Sequence, residues 1–392
     1  MKAKFSTGRR LSSILNFKVK GGLCLKAIIL AGGPGTRLRP LTCTRPKLLM
    51  PIANRALLDW TFERLSWAGV SEVVLALNYM AEAFRKYFGK ERYGIRVKYS
   101  LEPRAMGTGG PVKLSERLLK LEEDETLLVM NGDIWCDLDF SALEATHRRS
   151  VSKGAVMTIT LYEVKDVSRF GVVELKPDGR IIAFHEKPSG KVKSKLINAG
   201  VYASTSQIFS YIEPRRISLE REVFPKLAVE GYLYGFQHRG DWGDVGKFED
   251  YLKVNFKVAE ALAGERPRIE GSAEYNSTVK LTPPVILGDG VRLGSDSRIG
   301  PNAILGCNVK VGEGCQISNS VIFDEVEMED CCIVKGSILG EGVLLGKEAK
   351  ITGGSVIGDL SIIAPKVKLS RKVYVCPRKE VGKPALGPRR IV

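Results

Sequence analysis

The most chemically suggestive stretch of this 392-residue chain lies near its start. Ala31-Gly32-Gly33-Pro34-Gly35-Thr36-Arg37 follows directly on the apolar run at residues 26–30 (KAIIL). Glycines let a backbone come close to a polyphosphate, and their N–H groups donate to it. Arg37 adds a planar fork of donors for phosphate oxygens. The spacing is neither GxGxxG nor GxxxxGKS/T, so neither a nicotinamide dehydrogenase nor a P-loop NTPase is implied. A tight strand-to-helix turn would use the same glycines, and the loop alone leaves that alternative open.

The residues downstream narrow the choice. Residues 32–51 read GGPGTRLRPLTCTRPKLLMP. This resembles the signature of the sugar-phosphate nucleotidyltransferases, a GGxGTRLxPLT loop followed by PKxLxP. The resemblance runs over most of residues 25–258. Met106-Gly107-Thr108-Gly109-Gly110-Pro111 looks like the family's second nucleotide loop, and Asn131-Gly132-Asp133 like its metal-binding strand end. Phe170-Gly171-Val172-Val173, Phe184-His185-Glu186-Lys187-Pro188 and Ile197-Asn198-Ala199-Gly200-Val201-Tyr202 look like its sugar-binding strands. Trp242-Gly243-Asp244-Val245-Gly246 completes the set in the family's order.

The chemistry this implies suits the residue types. A sugar 1-phosphate carries its own anionic nucleophile, which attacks the α-phosphate of a nucleoside triphosphate (NTP) and expels pyrophosphate. No general base is required, in keeping with only three histidines in the chain. Alignment and neutralisation of anions are required. The resemblance implies Asp133 and Asp244 as ligands of Mg²⁺, a cation that takes few carboxylates and keeps waters. It assigns Arg37 to the β- and γ-phosphates and Lys47 to the reacting phosphates. Lys187 would hold the sugar's phosphate. Glu186 and Asn198 would bond sugar hydroxyls, with Gly171 contributing backbone. Gly32, Gly33, Gly35, Thr36, Gly107 and Thr108 complete the nucleotide contacts. Taken singly, Asp133 and Asn198 could be turn formers, and Glu186–Lys187 an exposed ion pair. Arg39 and Arg45 lie in the same signature and receive no role.

The choice of base and sugar rests on less. A carboxylate accepts well from the N1–H and N2–H₂ donors of guanine, and Glu102 stands just before the second loop, where uridylyl- and thymidylyltransferases of the family commonly show Gln. Exposed Glu is nevertheless the default, and a surface acid is the alternative. Ser218-Leu219-Glu220-Arg221-Glu222-Val223-Phe224-Pro225 looks like the stretch found in mannose-1-phosphate guanylyltransferases. GTP and mannose 1-phosphate are therefore the expected substrates. Uridylyl or thymidylyl transfer to glucose 1-phosphate is the alternative, as is a regulatory subunit that senses nucleotide sugars without turnover. That last alternative would predict a broken glycine loop or lost aspartates, and all of these are present.

These residues need a scaffold. Residues 25–262 alternate short apolar strands (26–30, 72–77, 96–100, 127–130) with helical stretches (57–67, 81–87, 111–121). This βαβ pattern predicts a Rossmann-like, mostly parallel sheet of the nucleotide-diphospho-sugar transferase type. Ligands of such sheets bind at the carboxyl ends of the strands, where the glycine loop and Asp133 fall. From residue 285 an aliphatic-plus-small pair recurs every six residues, from Leu287-Gly288 through Leu305-Gly306 to Ile357-Gly358. This predicts a left-handed parallel β-helix over 285–370. The period slips between Phe323 and Ile333, where a bulge or short loop is expected. Residues 263–284 read as a linker.

Composition sets the limits. Hydrophobic residues make up 44% and charged residues 27%, ordinary for a globular chain, and no apolar run is long enough to cross a bilayer. The eight cysteines form no CxxC pair, so zinc and disulfide frameworks are not expected, and reduced thiols in the cytoplasm are. Of the net +16, residues 1–26 carry +7 and residues 366–392 carry +8. The charge reads as a basic extension (1–24) and a basic tail (371–392), so nucleic acid is not an expected partner. Residues 1–24 hold no motif and are expected to be dispensable. No histidine follows His238, so the β-helix is not expected to carry a histidine-based acyltransferase and should mediate homo-oligomerisation or regulation.

Overall fold

The computed structural model describes residues 25–122, 125–190 and 192–392, and the basic extension at 1–24 lies outside them. The described chain divides into two compact units, residues 25–33 with 58–244 and residues 34–57 with 245–392.

The first unit is built on a ten-stranded sheet. Its centre is parallel: β1 (Leu25–Leu30) lies between β2 (Val70–Leu77) and β4 (Leu127–Asn131), with β3 (Ile95–Leu101) beyond β2. Ile28, Val74 and Val129 are fully buried, as expected of parallel strands covered on both faces. Helices α1 (Leu57–Trp67), α2 (Ala81–Phe88) and α3 (Gly109–Ser115) interleave with these strands. The expected helix at 111–121 is shorter: Ser115 Oγ donates to the Pro111 carbonyl at 2.8 Å, and a 3₁₀ turn, Glu116–Leu118, ends it. After β4 come β5 (Ile134–Cys136), α4 (Phe140–Val151) and β6 (Met157–Glu163). An antiparallel extension follows. β7 (Gly171–Leu175) pairs with β8 (Ile181–Glu186), and β9 (Leu196–Ser204) joins both β7 and β4. Helix α5 (Phe224–Glu230) leads to β10 (Leu233–Gln237), parallel to β6, and β11 (Trp242–Asp244) pairs with β5.

The second unit joins the Arg-Pro-Lys signature to the C-terminal repeats. Residues 34–57 form three 3₁₀ turns and a tight hairpin, Pro51–Ile52 with Arg55–Ala56. Its turn residues Ala53 and Asn54 both have positive φ, as a two-residue hairpin loop of this twist requires. Helix α6 (Phe248–Ala263) holds this segment. The buried Asn255 Oδ1 accepts the Ala53 N–H at 2.9 Å, and Tyr251 donates to the Pro51 carbonyl. Asn54 Nδ2 reaches the Leu305 carbonyl at 2.8 Å.

The repeats form a left-handed parallel β-helix of three sheets with eight, seven and seven strands. Val285 pairs with Ala303, 18 residues on, so three hexads make one coil. Leu287, Leu293, Ile299 and Leu305 stack in its interior. The helix exceeds the expected span at both ends. Arg268–Ile269, Ala273–Glu274 and Lys280–Leu281 already pair with the next coil, so most of the expected linker is its first coil. At the other end Val373, Val375, Val381 and Ala385 are buried in the same core, and the ladder ends with Arg389–Ile391. The expected basic tail is thus the last coil, with its cations on exposed outer positions.

The slip is neither bulge nor loop. Ala303 pairs with Ser320 and Gln316 with Ile333, each 17 residues on. The interior residues are Ile317, Ile322, Met328, Val334 and Leu339, so the five-residue steps fall at 317–322 and 334–339. Phe323 and Ile333 do not belong to this interior. Both short steps cross the same corner of the triangle. Asn319 (φ 49°) turns the first and Gly336 (φ 59°) the second, where the preceding coil spends Gly300, Pro301 and Asn302. Shortening one corner leaves all three sheets in register.

Candidate active site

In the first unit, the strand ends gather the expected residues. Leu30 pairs with Asn131, and the Gly132 N–H donates to the Leu30 carbonyl at 3.0 Å, so the glycine loop leaves the sheet beside Asn131-Gly132-Asp133. The Glu102 N–H bonds the Leu77 carbonyl at 2.8 Å and seats Glu102 at the end of β3. Glu102 is half-buried, not a surface acid. Its Oε2 accepts the Met106 N–H at 3.0 Å, and its Oε1 would lie 2.6 Å from a Cβ on Gly32. Burial raises its pKa against the Met106 bond. Glu102 therefore joins the first and second loops.

The second loop is welded to the Ser218–Pro225 stretch. Gly107 has φ +78°, and a Cβ there would stand 2.3 Å from the Ile217 carbonyl oxygen. The Gly109 N–H donates to that same carbonyl at 2.9 Å. Thr108 Oγ1 donates to Glu220 Oε2 at 2.6 Å and accepts the Leu219 N–H at 2.9 Å. Residues Leu219–Val223 form a π-helical turn, a distortion common at functional sites. Two motifs separated by more than 100 residues are one structure here.

Asp133 and Asp244 come together through strand pairing. β11 runs antiparallel to β5 with Asp244 opposite Ile134, the neighbour of Asp133. Arg169 Nη2 lies 3.7 Å from Asp244 Oδ2. Among the described residues no group of three or more His, Cys, Asp or Glu side chains could hold a metal. The donors on offer are two hard carboxylates, which fit a hydrated oxygen-seeking cation that takes its other ligands from phosphate and water.

The antiparallel strands supply the rest. Gly171 pairs with Glu186, and a Cβ on Gly171 would be 2.4 Å from the Phe184 ring, so only glycine lets these strands close. Lys187 has φ 46°, and its Nζ is 3.1 Å from Glu186 Oε1. Asn198 Nδ2 donates to the Tyr202 hydroxyl at 3.0 Å, and its Oδ1 accepts the Gly200 N–H at 3.0 Å. The β9–β6 register shifts between Asn198 and Tyr202, and Gly200 there packs on Asn131 and Ile134. Tyr202 is the residue these contacts converge on, and the sequence gives it no role. It is fully buried, and burial, then the charge of Glu220, and more weakly Glu186 and Asp133, push its hydroxyl well above the usual range. These three carboxylates, drawn from three motifs, thus act on one side chain. Trp242 Nε1 bonds the Ala199 carbonyl at 3.0 Å, and its ring meets Tyr162 and Phe170 as an aromatic wall.

In the second unit Gly35, Thr42 and Lys47 form one knot. Gly35 has φ +60°, Thr42 Oγ1 donates to its carbonyl at 2.9 Å, and a Cβ on Gly35 would touch Lys47 Cβ at 3.1 Å. Lys47 is buried, whereas Thr36 and Arg37 are exposed.

A parallel sheet whose strand ends carry a glycine loop, with two aspartates brought together beside it, has the make-up of a nucleotide-handling transferase. Residues 26–261 match the nucleotidyl transferase family model and residues 281–391 the GMPPB C-terminal domain model. The chain belongs to the nucleotidyl transferase family. It is 37% identical over 349 residues to a mannose-1-phosphate guanyltransferase of Aspergillus fumigatus, covering 88% of this chain and 93% of that one. It is 36% identical over 354 residues to the mannose-1-phosphate guanylyltransferase catalytic subunit beta of Dictyostelium discoideum, covering 90% and 94%. Among solved structures, HddC from Yersinia pseudotuberculosis is 28% identical with a TM-score of 0.50, over 59% of this chain and 99% of that one.

Proposed function

We propose that the chain transfers a guanylyl group from GTP to mannose 1-phosphate, releasing pyrophosphate and forming GDP-mannose. The observation that carries this reading is the similarity to mannose-1-phosphate guanyltransferases along nearly their whole length, with both domains matched in order. The weld between the second loop and Ser218–Pro225 supports it from the structure.

In this mechanism the sugar phosphate's own oxygen attacks the α-phosphate. Asp133 and Asp244 would hold Mg²⁺, which when bound offsets phosphate charge as a Lewis acid. Gly32, Gly33, Gly35 and Thr36 present backbone to the triphosphate, and Gly107 and Thr108 extend that contact. Arg37 neutralises the departing pyrophosphate, and Lys47 the reacting phosphates. Lys187 takes the phosphate of the sugar. Glu186 and Asn198 hold its hydroxyls, oriented by the Gly171 strand and by Tyr202. Glu102, placed between the loops, accepts from the guanine edge. No helix among the described residues is long and apolar enough to cross a membrane, and all seven described cysteines are free. A reducing, cytoplasmic setting belongs to the same proposal.

Pyrophosphate release measured across GTP, UTP and dTTP with mannose and glucose 1-phosphates, in Mg²⁺, tests the reading. Turnover should be highest with GTP and mannose 1-phosphate. Preference for another pair would reject the substrate assignment, and none with any pair would reject the activity.

A further inference from the structure

The segment that carries Lys47 is gripped by the β-helix, two residues away. Asp359 lies between the strands Val356–Ile357 and Ile362–Ile363 and is 5% exposed. Its Oδ1 accepts the Glu341 N–H of the preceding coil at 2.9 Å. Other coil aspartates do the same: Asp289 accepts from Ser272, Asp324 from Cys307 and Asp330 from Glu313. That bond is therefore the ordinary stacking device of the coil. Asp359 turns its second oxygen to a different use. Oδ2 accepts from Thr44 Oγ1 and from Arg45 Nη2, both at 2.6 Å. The same Arg45 Nη2 reaches Glu341 Oε2 at 2.7 Å, and the guanidinium lies 4.9 Å from the centre of the Phe323 ring. A Cβ on Gly340 would stand 2.3 Å from Asp359 Oδ1, so glycine there is what lets the carboxylate reach across.

A buried ion pair returns little net stability once its desolvation is counted, but its geometry is specific. Burial opposes the Arg45 charge, yet Asp359 and Glu341 more than offset it and hold its pKa above the usual value. The lever from the clasp to Lys47 is short and stiff. Pro46 is fixed at φ −60°, Lys47 opens a 3₁₀ turn, and the Met50 N–H closes that turn on the Lys47 carbonyl. Beyond it, Pro51, Ala53 and Asn54 are tied to α6 and the β-helix. Lys47 thus sits between two anchored points.

We propose that Arg45 and Asp359 are positioning residues for nucleotidyl transfer, through which the β-helix fixes the place of Lys47. The coils near Gly340 and Asp359 are then part of the catalytic apparatus and not an appended module. This rests on the role given to Lys47 above.

Asp359→Asn separates the two uses of the side chain. Its amide oxygen can still accept the Glu341 N–H, while its NH₂ faces Arg45 and Thr44 and opens the clasp. A displacement near 1 Å costs on the order of a hundredfold in rate. The full-length variant should lose roughly ten- to a hundredfold in kcat, with KM for GTP and mannose 1-phosphate within about twofold. In a Lys47→Met background the same change should add less than about twofold, since residues acting as one unit are not additive. Arg45→Lys, which keeps the charge, should recover part of the activity lost in Arg45→Ala. Unchanged kcat in Asp359→Asn, or a full multiplicative loss in the double variant, would overturn the inference while leaving Lys47 its role. Full activity of Lys47→Met would remove that role, and the inference with it.

Discussion

Replacing Gly33 by alanine tests whether the first loop is shaped for its own turn or for a ligand. Gly33 is exposed, its φ lies outside the left-handed region, and a Cβ there would meet no described atom within 4 Å. The fold gives no reason for glycine at this position. Gly35 is different, since its φ of +60° and its contact with Lys47 account for it. Gly33→Ala should therefore leave folding stability unharmed, or raise it by about 0.4–1 kcal/mol by restricting the unfolded chain. If the triphosphate approaches this backbone, the added methyl blocks one charge-assisted N–H contact worth about 1.5–3 kcal/mol. That is a loss of about ten- to 150-fold in kcat/KM for GTP. Initial rates of pyrophosphate release at varied GTP, set beside thermal unfolding of the same samples, give both quantities. Undiminished kcat/KM would refute the ligand argument. A fall in thermal stability that tracks the loss of activity would return the loop to the tight-turn alternative.

Two further outcomes follow from the same geometry. Gly107→Ala puts a Cβ 2.3 Å from the Ile217 oxygen at φ +78°, so the loop must shift by about 1 Å. Both stability and kcat/KM should fall, the latter by about a hundredfold, and parallel unfolding and rate measurements check it. His147 is buried with Nδ1 3.0 Å from Thr158 Oγ1, and burial, aided by Arg148, lowers its pKa to about 4. The unfolded chain takes up this proton near pH 6.5 and the folded chain only near 4, so stability is present above 6.5 and lost as pH falls through that window. The loss approaches roughly 3 kcal/mol. Denaturant midpoints of His147→Gln should show a shallower acid slope between those pH values than wild type, and an unchanged slope would contradict the assignment.

Local chemistry made much of the molecule legible in advance. The loop at Gly32–Arg37, the apolar strand before it and the hexad aliphatics each announce themselves within a few residues, because backbone approach and interior packing are short-range demands. The ends of the β-helix were hidden. Its first and last coils use two-residue strands with charged outer positions, so residues 268–281 read as a linker and 371–392 as a tail. The slip was misplaced by one residue at Phe323 and again at Ile333, since either neighbour is apolar and only corner geometry decides which faces inward. From the sequence Glu102 reads more readily as a surface acid, and its Met106 bond and its closeness to Gly32 come only from the fold. Arg45 carried no signal, because its partner Asp359 is 314 residues away. Tyr202 was visible only as part of an apolar strand, and its place among three carboxylate-bearing motifs is a product of the tertiary fold.

The proposed guanylyl transfer depends on Asp133, just before β5, and on Asp244 of β11. The measurement is GDP-mannose and pyrophosphate formation by purified wild type, Asp133→Ala and Asp244→Ala with GTP, mannose 1-phosphate and Mg²⁺. Wild type should form the two products in equal amounts. Each variant should fall by at least about a thousandfold, the several kcal/mol that metal-assisted charge stabilisation supplies. No GDP-mannose from wild type, or undiminished formation by either variant, would contradict the account.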